Sequence, residues 1–148
     1  MGLPKTQNNI KSKGNEMKAE FLSDLYVELK PGRDDEIWVL TKPLIYNSTL
    51  LDKQIVIRPG FETDLASVPR IPFVFWFWGG RAHREAILHD AFYRSDFPIE
   101  ISFSMGNLVF LEAMKSRGKP WNIRYPIYLG VCVGGYFSYH KRLMGDSL

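Results

Sequence analysis

The chain has 148 residues, of which 45% are hydrophobic and 24% charged, and its net charge is +3. These values suit one globular domain able to bury a core of its own. The charge is too small to argue for nucleic acid, which asks for a basic stripe or face, and the single cysteine, Cys132, excludes an intramolecular disulfide and a CxxC metal site.

Residues 1–18 are polar and carry Lys5, Lys11, Lys13 and Lys18. They read as a flexible basic arm, ordered only by a partner, ahead of a single domain over 19–148. No apolar segment suggests a signal peptide. "MGLPKT" fits the myristoylation pattern loosely, and Pro4 argues against it. Met17 is a second candidate start, since "MKAEFLSDLYVEL" begins like a domain.

From 20 to 60 the hydrophobic period is near two. "DLYVELK" predicts a first strand, "EIWVLTKPLIYN" a second one interrupted by Pro43, and "KQIVIRPG" a third ended by Pro59 and Gly60. Three or four short antiparallel strands are expected. Residues 61–80 show no clear period, and Pro69 and Pro72 exclude a continuous helix there. "IPFVFWFW" places five aromatics in eight residues, either as a wall between sheet and helices or as a docking patch.

Three helices are predicted after that. The first lies in "GGRAHREAILHDAFYRS" and the second in "SFSMGNLVFLEAMKSRG", with Ser102 or Ser104 as cap and Gly118 at its end. The third runs from about Ile123 to Arg142, with Gly130 and Gly134 four apart. The longest uncharged stretches, Ile71–Gly80 and Tyr125–Tyr139, are shorter than the roughly 18–20 residues a membrane span needs. A soluble protein with no transmembrane segment is expected. Cys132, inside "YLGVCVGGYF", is expected to be a buried, inert thiol in a reducing compartment. Strands first and helices after predict an α+β fold, a small N-terminal antiparallel sheet packed against about three C-terminal helices.

The residues able to carry chemistry fall in "FETDLASVPR", "AILHDAFYR" and "GNLVFLEAM". His89 and Asp90 are neighbours on a predicted helix, about a hundred degrees apart, and both can reach one metal above that edge. Imidazole with carboxylate suits one divalent ion such as zinc, manganese or magnesium. Glu85 and Tyr93 stand four residues either side of His89, near its face. His83 shares a face with Asp90. Thr63 and Asp64 can cap the local backbone, Ala66 and Ser67 allow close approach, and Arg70 can pair with Asp64 or Glu62. The same residues would also make an internal ion-paired clasp with no ligand. There is no glycine-rich phosphate loop, G-x-S-x-G elbow or H-E-x-x-H. His140 reads as a surface cation near a helix end.

Residues 20–142 resemble a family of phage-encoded proteins of unknown function. Its pattern runs through F-x-T-D-x-A-S-V-P-R and H-D-x-x-Y-R to A-D-x-x-F-x-x-A-M. Here the first two read "FETDLASVPR" and "HDAFYR"; in the third, Asn107 stands where the pattern has Asp. The resemblance implies phage or prophage origin and a small α+β domain, with Asp64, His89 and Asp90 on the family's polar positions. Two functions are expected. One is a small metal-dependent hydrolase of late phage function, acting on cell-wall or virion material. Asp64, His89, Asp90 and Asn107 would hold the metal, and Glu62 or Glu85 would act as base. The other is a virion or assembly module in which the cluster is a clasp, and the arm or the aromatic run docks other phage structural proteins. Either places the protein in the host cytoplasm during infection or on the virion.

Overall fold

The computed structural model describes residues 16–32, 37–63, 82–94 and 96–145, with side chains as far as residue 134. Six strands precede three helices: β1 (Glu20–Phe21), β2 (Val27–Leu29), β3 (Trp38–Leu40), β4 (Leu44–Ser48), β5 (Lys53–Ile57), β6 (Glu62–Thr63), α1 (His83–Phe92), α2 (Phe103–Ser116) and α3 (Trp121–Gly145). The fold is α+β, as expected. The strands, however, form two antiparallel sheets of three, ordered β1-β4-β5 and β2-β3-β6.

The division falls at Pro43. The stretch expected to be one interrupted strand is two strands in different sheets: β3 pairs with β2 and β6, and β4 pairs with β1 and β5. Proline has no amide hydrogen to give to a ladder and restrains the residue before it. The chain therefore leaves one sheet at Leu40 and enters the other at Leu44.

β4 and β5 supply the sheet side of the core. Leu44, Tyr46 and Ser48 alternate into the interior along β4, and Ile55 and Ile57 do so along β5. The register sets Leu44 opposite Ile57 and Tyr46 opposite Ile55, so one face of the hairpin is apolar over its length. That face packs with Leu40 against Ile87, Leu88 and Ala91 of α1 and Val109 and Ala113 of α2.

α2 carries both of its expected end signals. Ser102 is its N-cap, its hydroxyl accepting from the Met105 amide at 3.2 Å. At the other end Gly118 has φ +72°, and the Gly118 and Lys119 amides donate to the Lys115 and Met114 carbonyls. That is the paired closure a helix makes when a glycine takes the left-handed position after it. α3 starts directly behind Pro120, whose carbonyl accepts from Ile123 and Arg124. A second, smaller cluster of Phe110, Met114, Ile127 and Val131 joins α2 to α3. Cys132, expected to be buried, is only partly so, because the α3 face it occupies has no covering element among the described residues.

Candidate functional site

The interface of α1 and α2 encloses a polar cluster. His89 lies near the C-terminal end of α1 and is 4% exposed. Its Nε2 is 2.8 Å from Oδ1 of Asn107, a buried residue in the first half of α2. The Tyr93 hydroxyl donates to the same Oδ1 at 2.9 Å. The rings of Tyr93 and Phe110 flank the imidazole, with centroids 4.5 and 5.3 Å away. An amide oxygen only accepts, so His89 donates from Nε2, and Nδ1 is left as a bare lone pair. Nδ1 is buried and has no hydrogen-bond partner among the described residues. Burial pushes the imidazole down to about 4, and the Asn107 bond works against that shift without cancelling it. His89 is therefore a neutral imidazole with one nitrogen held and one available.

Asp90 turns away from this cluster, as neighbours on a helix must. Its Oδ2 accepts from the Thr63 hydroxyl at 2.8 Å, which ties α1 to β6. Successive residues of a strand face opposite ways, so Glu62 faces away from that contact, and its carboxylate pairs with Lys30 of the β2–β3 turn. Asp64, Ser67 and Arg70, and the aromatic run after them, lie outside the described residues.

Glu85 shares α1 with His89 but is engaged elsewhere. Its side chain is 0% exposed and sits between Arg117 at 3.3 Å and Lys119 at 3.6 Å, just past the end of α2. Those two cations hold its carboxylate away from His89. His83 is exposed and lines a cleft with Arg84, Arg117 and Lys119.

One polar residue that the sequence reading passed over is Glu112. Its Oε2 accepts from Tyr46 at 3.1 Å and Ser48 at 2.8 Å. Its Oε1 accepts from the Thr49 and Leu50 amides, each at 3.0 Å, and from the Thr49 hydroxyl. This one carboxylate closes the β4–β5 turn onto α2. Burial, followed by the charge of Glu112, pushes the Tyr46 hydroxyl well above its usual range. The available signal was an acid set between Leu111 and Ala113 in an otherwise apolar helix stretch.

Sheets packed on helices, with a neutral histidine held between two of those helices, define a small α+β protein with an enclosed polar cluster. The family model described as "Protein of unknown function (DUF1353)" matches residues 38–131, and the chain belongs to that family. The match begins at β3, ends within α3, and includes every residue of the cluster. No curated protein and no solved structure matches the chain.

Proposed function

We propose that the chain is a phage-encoded metal-dependent hydrolase of late infection, with His89 as the anchoring ligand. The observation carrying this reading is the bare, buried Nδ1 of a neutral imidazole whose other nitrogen is held by Asn107. Metal-binding histidines have this form: one nitrogen fixes the ring through a hydrogen bond and the other is offered to the ion. Phage origin is supported by the resemblance carried by "FETDLASVPR" and "HDAFYR".

Among the described residues no three His, Cys, Asp or Glu side chains gather as a metal site, and Asp90 faces Thr63, so the assignment rests on His89 through Nδ1 with Asp64, which follows Thr63 in the sequence. Asn107 orients the ring and does not ligate in this assignment, since its oxygen already accepts two hydrogen bonds. A bound divalent ion would supply a water acidified enough to attack at neutral pH.

A second reading is favoured by a different observation. Thr63–Asp90 and His89–Asn107–Tyr93 each tie separate elements together, so the cluster also suits a clasp inside a virion or assembly module. Thermal unfolding separates the two. The chain is stripped with chelator and reloaded with zinc, manganese or magnesium, beside His89→Ala and Asp64→Ala. A ligand that binds only the folded state raises the midpoint. The site reading expects a rise with one metal that both variants lose. No rise with any of the three, and strong destabilisation by both substitutions, establishes the clasp.

A further inference from the structure

The exposed face of α3 carries an apolar stripe among the described side chains. Trp121, Tyr125, Leu129 and Val133 recur at every fourth residue and are 70%, 45%, 60% and 59% exposed. Each step of four turns the direction by about 40°, so the four fan across about 120° of the helix surface. Ile127 and Val131, on the other side, are buried against Phe110 and Met114. A helix that is apolar on both faces needs a second cover.

Charge says what that cover is. From Ala113 to Gly145 the sequence contains no Asp or Glu. Lys115, Arg117, Lys119 and Arg124 gather at the start of α3, and Lys141 and Arg142 fall in its last turns. A cleft of about 530 Å3, lined by His83, Arg84, Arg117 and Lys119 with Pro120 and Ile123, opens beside that start. Among the described residues, Glu85 pairs with Arg117 and Lys119, and Asp24 pairs with Arg84. A second copy of the chain is a poor occupant: α3 has cations at both ends, so parallel and antiparallel pairing alike set cation on cation. An anionic sheet of headgroups above an apolar layer matches both features, and Trp and Tyr favour that boundary.

We propose that α3 is a docking surface for an anionic lipid bilayer. The helix lies along the interface, with the Trp121–Val133 stripe at the acyl boundary and the cations at its start on headgroup phosphates. No described helix is long and apolar enough to cross a membrane, and lying on the surface requires no such length.

Flotation of the full chain with vesicles tests this. Phosphatidylcholine vesicles with and without phosphatidylglycerol are compared at low and high salt. The expected result is binding only where phosphatidylglycerol is present, weakening as salt rises. The double variant Leu129→Ser/Val133→Ser should bind on the order of tenfold more weakly, and Lys115→Gln about fivefold more weakly. These three residues are exposed, and unchanged thermal unfolding confirms that the fold is kept. They lie outside the His89 and Asp90 contacts, so metal binding and vesicle binding fail separately. Four outcomes overturn the proposal: no flotation with phosphatidylglycerol; flotation unaffected by the double variant; a dimer in sedimentation that the double variant dissolves, without vesicle binding; or a thermal shift with inorganic phosphate alone, without vesicle binding.

Discussion

At His89 the two ring nitrogens meet different conditions, and both consequences are measurable. The imidazole titrates near its ordinary 6.5 in the unfolded chain and at about 4 in the folded one. Between those values the unfolded state holds a proton that the folded state does not. Stability from this group is therefore complete above about pH 6.5 and lost as pH falls toward 4, by about 3 kcal/mol across the window. Urea unfolding at a series of pH values should show that slope in the wild-type chain and a shallower one in His89→Gln. Asn107 controls the same ring. A carboxylate in its place would favour the charged imidazolium, so Asn107→Asp should move the His89 titration upward by more than one unit, followed by proton NMR of the ring. In a metal-loaded chain it should also tighten binding, because a carboxylate partner makes the ligating nitrogen more basic.

At the scale of elements, α2 is held by its ends and by one acid in its middle. Glu112 accepts from side chains of β4 and from the amides of the turn that follows. Removing it leaves those donors without their acceptor. Glu112→Ala should lower the free energy of unfolding by about 3 kcal/mol in urea titration, and Glu112→Gln by less, because the amide oxygen keeps part of the acceptor role. Gly106, in the first half of α2, is the opposite case. A Cβ there would meet Ile101 Cδ1 at 3.6 Å and Phe92 Cβ and the Tyr93 hydroxyl at 3.8 Å, all ordinary contacts. Gly106→Ala should therefore raise stability by about 0.5–1 kcal/mol through reduced freedom of the unfolded chain.

At the scale of the molecule, the sheets and helices are joined by a few polar ties around an apolar interior. Thr63 to Asp90 is one tie between the β2-β3-β6 sheet and α1. Thr63→Val and Asp90→Asn, made singly and together, should show a coupling of about 1 kcal/mol in a double-mutant cycle. A coupling near zero would mean that this hydrogen bond adds nothing to the hold of β6 on α1.

The sequence by itself determined the elements that punctuation and period encode. The Ser102 cap and the Gly118 stop bound α2, alternation marked β4 and β5, and the strands-then-helices order gave α+β. The segment "AILHDAFYR" led to His89 and Asp90, because imidazole with carboxylate suits a divalent ion. Only the tertiary structure decided the pairings. Pro43 signalled a break, but which sheet each side joins depends on contacts between residues distant in the chain. Local spacing placed Glu85 near His89, whereas two cations beyond α2 draw its carboxylate away. Glu112 drew no reading from the sequence, because its five donors come from a hairpin more than sixty residues earlier. Burial, which sets the charge state of His89, is a property of the packed core and has no local signature.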